Sequence, residues 1–162
     1  MGERLVRKIL ATLMCLAIAN IAADRGADLR KVVESGNEAW IKAGRELKKD
    51  LLEPYFAGPA LTDLAQILAS MREDGTYMDL ELVRVDYRKV MVDPAGTTGS
   101  VAVSEYWRVT YRRIDTHKCE VILKPRERRQ TYRLQTTASG WRIFKVEEEP
   151  NLPKIETQEC PS

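Results

Sequence analysis

The 162-residue chain is poor in the side chains that metal proteins and nucleophilic enzymes depend on: it has one histidine, three cysteines and nine glycines. The histidine, His117, lies in the turn-like stretch "DTHK" beside Asp115, and a metal centre needs several such ligands at set spacings. A Ser-His-Asp or Cys-His arrangement is equally unexpected, because a lone histidine in an exposed turn has little to fix its tautomer. The glycine-containing "DPAGTTG" lacks the lysine and following helix of a phosphate-binding loop. Internal repeats are absent. Nothing in the sequence asks for a metal or a cofactor.

Charge of one sign is also scarce. The formal net charge is +2, and Arg4, Arg7 and Lys8 against Glu3 place all of it in the first 23 residues. The remaining body is neutral and has no electrostatic footprint for a phosphate backbone, so nucleic acid is not an expected partner. With 44% hydrophobic and 31% charged residues, the chain has the composition of one soluble globular domain.

The beginning, "MGERLVRKILATLMCLAIANIAAD", joins a basic start to an apolar run from Ile9 to Ile18 and then to small residues. This is the three-part form of a signal peptide, with cleavage expected after Ala17-Ile18-Ala19 or Ile21-Ala22-Ala23. The run is shorter than the ~20 residues that span a bilayer. Residues 1–23 therefore read first as a cleaved signal peptide, with a retained membrane anchor as the alternative. A lipoprotein is set aside, since Met14 stands before Cys15 where a small residue is needed. The expected address is periplasmic or extracellular, and membrane contact follows only if residues 1–23 are retained. In such a compartment Cys119 and Cys160 form either one disulfide or two separate thiols.

Downstream, Ala27 to Lys49 repeats apolar residues at three- and four-residue spacing through Leu29, Val33, Trp40, Ala43 and Leu47, an amphipathic helix. Gly36 and Gly44 within it mark a close helix-to-sheet approach or a kink. "LLEPYFAGPALTD" breaks the helix and leaves Tyr55 and Phe56 as an aromatic plug, and a second helix runs from Leu61 to Glu73. Strands are expected at Leu80 to Val92, with a bulge near Asp86 and Tyr87, then at Gly99 to Arg113, Cys119 to Leu123, Gln130 to Thr137 and Trp141 to Glu147. "KPRERR" reads as a connection. The fold class is α+β: N-terminal helices packed in a curved antiparallel sheet of four to five strands over residues 24–149, followed by an irregular tail at 150–162.

"NEAWIKA", "LEPYFAGPAL", "MREDGTY", "VAVSEYWRVTY" and "TYRLQTTASGWRIFKVE" in this order resemble the nuclear transport factor 2-like superfamily, in which a curved sheet wraps a long helix into a cone. The details are closest to bacterial and plastid domains related to the intermembrane-space domain of chloroplast-division proteins. The resemblance implies the cone (cystatin-like) fold. Its implications for function are divided: ketosteroid isomerases, polyketide cyclases and scytalone dehydratase carry an acid, base or tyrosine inside the cone, whereas other members bind small apolar ligands or proteins. A homodimer through the sheet is a further implication.

One residue breaks the apolar pattern. In "GSVAVSEYWRVTYRR" the row Val101, Val103, Trp107, Val109, Tyr111 has Glu105 in its middle. A buried carboxylate could act as a general acid or base, but needs a convergent partner, and Asp86, Tyr87, Tyr106, Tyr132 and Thr136 are the candidates. The plainer expectation is a cross-strand ion pair with Arg84, Arg88 or Arg133. No residue is therefore assigned as catalytic, Glu105 being the weak candidate. Trp40, Glu105, Trp107 and Tyr132 are the residues expected to reach a ligand if the cone is open, whereas a closed cone is filled by Trp40, Phe56 and Trp107. The basic stretch "YRRIDTHKCEVILKPRERR" reads as a solvated hairpin rim. Together these lead to a non-catalytic exported module binding an unknown protein or a small apolar ligand. The alternatives are a cone-pocket isomerase or dehydratase using Glu105, and a membrane-tethered assembly factor.

Overall fold

The computed structural model describes residues 26–150 and 154–161; the signal-peptide reading of residues 1–23 lies outside them. Helix α1 covers residues 26–46 and α2 covers Gly58–Glu73. Four long strands follow, β1 (Thr76–Val92), β2 (Thr98–Arg113), β3 (Cys119–Thr137) and β4 (Gly140–Glu148), and a short β5 (Thr157–Gln158). The sheet is antiparallel in the order β1-β2-β3-β4, with β5 added to β3.

Helix α1 ends three residues earlier than its apolar spacing predicts. Leu47 adopts a left-handed conformation (φ 54°), and Arg72 of α2 donates to its carbonyl oxygen. A left-handed residue just past the last turn is how many helices stop. A single 3-10 turn, Lys49–Leu51, leads into the "PYF" segment. That segment is stitched to the edge of the sheet, for Ile143 N–H donates to Tyr55 O at 2.8 Å and Ala57 N–H donates to Ile143 O at 2.9 Å. Phe56 is thereby buried.

The sheet wraps α1 from its first strand to its last. A Cβ on Gly44 would lie 3.2 Å from Leu80 of β1, and one on Gly36 would lie 2.8 Å from Ile143 of β4. Both glycines thus mark close approach, the first of the two readings offered for them. Bulges supply the bending: β1 shifts register between Leu82 and Arg84 and again between Tyr87 and Lys89, bracketing the predicted position.

The clearest departure from expectation is "KPRERR", which is strand. β3 runs unbroken through it, and the register with β2 shifts between Trp107 and Val109, opposite Lys124 and Pro125. A proline cannot give its N–H to a ladder, so it sits where the bulge leaves a residue unpaired. The first half of β3 extends beyond the reach of β4, which pairs only with Gln130 to Thr137. β5 covers part of that open edge, facing Ile122 and Leu123.

Cys119 and Cys160 are joined, with Cα atoms 5.8 Å apart, so the tail is tied to the start of β3. Closing a loop between cysteines 41 residues apart stabilises a fold by about 4 kcal/mol in the chain-entropy view. The pair Cys119→Ser, Cys160→Ser should therefore lower unfolding free energy by up to about 4 kcal/mol in urea titrations. Amide exchange should quicken around Ile122 and Leu123 more than around Val101 and Val103.

Candidate functional site

The inner face of β2 presents Val101, Val103, Glu105 and Trp107, all buried, and Glu105 has 0% exposure. Strand β3 is in register beside it: Glu105 faces Arg128, Val103 faces Gln130 and Val101 faces Tyr132. Alternation along both strands therefore turns Glu105, Trp107, Arg128, Gln130 and Tyr132 toward α1. From the helix, Asn37 enters the same space, one turn beyond Val33 on the buried stripe.

Four donors close on the Glu105 carboxylate. Asn37 Nδ2 donates to Oε1 at 2.8 Å. Trp107 Nε1 donates to Oε2 at 2.9 Å and Gln130 Nε2 donates to the same oxygen at 2.5 Å. The Tyr132 hydroxyl lies 3.1 Å from both oxygens and 3.0 Å from Asn37 Oδ1, while its own oxygen accepts from Gln130 Nε2 at 2.8 Å. A buried carboxylate is costly unless its lone pairs are satisfied, and here every partner is a neutral N–H or O–H. Burial, and next the Glu105 charge beside it, push the Tyr132 phenol well above its ordinary value. That hydroxyl stays a donor.

The expected ion pair is not formed. Arg84 pairs with Asp86, Arg88 with Glu149 and Arg133 with Glu147, all away from Glu105. The reason is pleat: Arg84 is also stacked over the Tyr106 ring at 4.0 Å, and Tyr106 neighbours Glu105 in the chain and so faces the other side. Among the candidate partners only Tyr132 converges on Glu105. Tyr87 instead donates to Glu34 at 3.0 Å, and the Thr136 hydroxyl donates to Gly96 O at 3.2 Å.

A cavity of about 240 Å³ lies on the outer side of this network. Its apolar lining comes from Trp40, Phe56, Leu64, Ile67, Trp107 and Val146, and its polar lining from Asn37, Gln130, Tyr132, Arg128, Asp63 and Glu148. Exposed Ile67 and Asp63 on α2 form the mouth. Of the expected ligand-reaching residues, Trp40, Trp107 and Tyr132 line the cavity, whereas Glu105 is behind the wall that Asn37, Trp107, Gln130 and Tyr132 make. Asn37, Gln130, Asp63 and Glu148 were not expected at the site, and Arg128, read in the sequence as part of a solvated hairpin rim, instead lines the cavity with its Nε buried. The first two carried a legible signal, being polar residues on otherwise apolar faces.

Arg128 is the basic group lining the cavity. Its Nη2 pairs with Glu148 Oε1. Its Nε is buried and has no hydrogen-bond partner, the one such side-chain nitrogen or oxygen among the described residues. Burial lowers the guanidinium pKa from its ordinary value. The rest of the basic hairpin is largely neutralised, with Arg112 on Asp79 at 2.6 Å, Lys124 on Glu156 at 3.2 Å and Arg129 on Glu127 at 3.0 Å. His117 lies in the turn between β2 and β3, its Nδ1 3.4 Å from the Tyr77 hydroxyl.

A helix enclosed by a curved antiparallel sheet, with a half-polar cavity at its open end, defines a cone-type α+β domain. The chain has the nuclear transport factor 2-like fold: it is similar to the intermembrane-space region of chloroplast protein ARC6, with a TM-score of 0.66 and 16% identity over 76% of this chain and 95% of that one. A nuclear transport factor 2-like superfamily protein from Salmonella enterica serovar Typhimurium is also similar, with a TM-score of 0.51 and 14% identity over 76% of this chain and 91% of that one. No protein-family model and no curated protein matches the chain.

Glu105→Gln places an amide N–H₂ among donors and should lower unfolding free energy by about 2–4 kcal/mol, even with the Asn37 and Gln130 amides turned over. The pH dependence at the alkaline end is set partly by Tyr132. Its folded-state pKa lies above the unfolded value of about 10, so its contribution is complete below pH ~10 and is lost as pH rises toward the folded-state value. Above pH 10, Tyr132→Phe should make the slope of stability against pH shallower by about 1.4 kcal/mol per unit. An unchanged slope in urea titrations from pH 9 to 11.5 would contradict the assignment.

Proposed function

We propose that this chain is an exported, non-catalytic binding module whose cone mouth receives an apolar group of a small ligand or of a partner protein. The observation that carries this reading is the position of Glu105: both oxygens are saturated by internal donors and the residue has no exposed surface. A general base must reach the proton it removes, directly or through one water. Here the carboxylate fixes the wall and leaves the cavity lined by Trp40, Phe56, Trp107 and Tyr132, the mixture of aromatic surface and a few fixed polar groups usual in ligand sites. Export is supported by the Cys119–Cys160 disulfide, since such bonds persist mainly outside reducing cytosol.

One observation favours the isomerase or dehydratase reading, namely that Glu105 and the Tyr132 hydroxyl share hydrogen bonds beside a cavity. For that chemistry the network would have to open and bring a carboxylate oxygen to the cavity. The membrane-tethered reading shares the binding surface and differs only in the fate of residues 1–23.

The binding and enzymatic readings separate in one preparation of the chain from Asp24. A neutral dye sensitive to its surroundings should brighten on binding, and Trp40→Ala should weaken its binding about tenfold or more, a loss typical of a central aromatic anchor. In D₂O the same protein should not accelerate exchange of the γ- or α′-protons of a simple enone, followed by proton NMR. Acceleration lost in Glu105→Gln, measured where that variant remains folded, would establish catalysis and end the binding-only reading.

A further inference from the structure

We propose that the Cys119–Cys160 bond is a redox latch over a dimerisation strand: its reduction frees the tail from β3, and the uncovered edge pairs antiparallel with the same edge of a second copy of this chain. Neither the cavity nor its ligand is involved.

Among the described residues, the first half of β3 has β2 on one side and only the tail on the other. The backbone of such an edge is a template for another strand. Ile122 faces Gln158 and Leu123 faces Thr157, and Lys124 N–H donates to Glu156 O at 3.0 Å. Little else holds the tail: β5 is two residues long, residues 154–159 are exposed, and Lys124 meets the Glu156 carboxylate at 3.2 Å on the surface. So short a ladder is marginal by itself in water, and the bond to Cys119 is what keeps it in place.

The stretch that the tail covers is self-complementary. In "EVILK", residues 120–124, an antiparallel pairing centred on Ile122 sets Glu120 against the partner's Lys124, Val121 against Leu123 and Lys124 against Glu120, as a two-fold axis requires. The Lys124 N–H points away from β2. By alternation the backbone groups of Ile122 and Glu120 do the same, so these residues meet their opposites as hydrogen-bonded pairs. Opposite charges directly across two strands attract. The tail already imitates this arrangement. Glu156 precedes Gln158, the residue opposite Ile122, by the same two positions that separate Glu120 from Ile122, and Thr157 and Gln158 stand in for the apolar Val121 and Ile122. Pro125, which has no N–H, limits the pairing to this stretch. Such a contact joins strand edges and differs from a dimer through the sheet face.

A dithiol donor opens the latch by exchange. One of its thiolates attacks a sulfur of the bond and its second thiol displaces the mixed disulfide; two electrons and two protons pass to Cys119 and Cys160, which leave as thiols, and the donor becomes the disulfide. Neither cysteine is fully buried.

Sedimentation velocity of the chain from Asp24, with and without dithiothreitol, tests the latch over about 10 to 500 μM, a range suited to a small interface. Oxidised, the chain should stay monomeric; reduced, its apparent mass should rise with concentration toward twofold. Amide exchange at Ile122 and Lys124 should be slow in the oxidised chain, about tenfold or more faster in the dilute reduced one, and slow again in the concentrated one. Cys119→Ser with Cys160→Ser should dimerise without reductant. Lys124→Glu, which keeps both cysteines and alters an exposed side chain, should abolish the reduced dimer by setting glutamates face to face, and adding Glu120→Lys should restore it. An oxidised chain that dimerises equally, a reduced chain that stays monomeric whether or not those amides quicken, or a dimer that survives Lys124→Glu would each overturn the proposal. So would a domain that unfolds on reduction, followed by far-ultraviolet circular dichroism, since a latch requires the domain to stand without it.

Discussion

The buried carboxylate of Glu105 is the constraint on which the rest of the cone depends. Taking an acidic group out of water costs several kcal/mol unless donors replace the lost hydration, and no single element can supply enough of them. The donors come from α1 through Asn37, from β2 through Trp107 and from β3 through Gln130 and Tyr132. Three elements distant in the chain are thereby held at one point. Apolar packing alone tolerates sliding, since one methyl contact substitutes for another, whereas a half-satisfied polar network is worse than none. The network thus fixes the registration of α1 against β2 and β3 in a way that Leu29, Val33, Val101 and Val103 could not.

Much of this architecture was legible in the chain and part of it was not, for physical reasons. The helices, the order of strands and the bulge near Tyr87 follow from periods of three to four and of two, which are local. The end of α1 was misplaced because it is set by a contact between Leu47 and Arg72, 25 residues apart. The "KPRERR" segment concealed a strand because its charges and Pro125 are tolerated on an open edge, and edges are a property of the sheet, not of the segment. Glu105 stood out as anomalous in an apolar row, but its partners could not be chosen. Tyr132 was one candidate among five, and of the arginines expected as mates Arg84 and Arg133 face the other side by the pleat, while Arg88 stands in the bulge between Tyr87 and Lys89. Asn37 and Gln130 were overlooked because a search for acid-base partners passes over amides, although a polar residue on a buried stripe is the same kind of signal as Glu105 itself.

The outer surface follows a different logic. Ion pairs across strands, Glu81 with Arg108 and Arg133 with Glu147, cover the sheet with alternating charge. Each such exposed pair contributes little to stability, but together they keep a long, open sheet from presenting an apolar face. The free edge of β3 is protected by a tail held covalently through Cys160. Apolar surface remains accessible at scattered positions, Val83 and Met91 on β1, Ile114 in the turn after β2 and Ile155 in the tail, and at the cone mouth through Ile67 of α2.

Whether a carboxylate on β2 can reach the cavity depends on where along the strand it stands. Inward positions on that strand are successive at two-residue steps, and the step from Glu105 to Trp107 is the step from the interior of the wall to its surface. At position 107 a carboxylate would border the cavity and could meet a substrate proton. At 105 it is enclosed, and its charge is spent on orienting an indole, two amides and a phenol. They form a fixed surface, and a fixed surface costs little further ordering when it is occupied. On the binding reading proposed above, the charge that could act on a substrate one step farther along the strand here serves to fix the cavity wall.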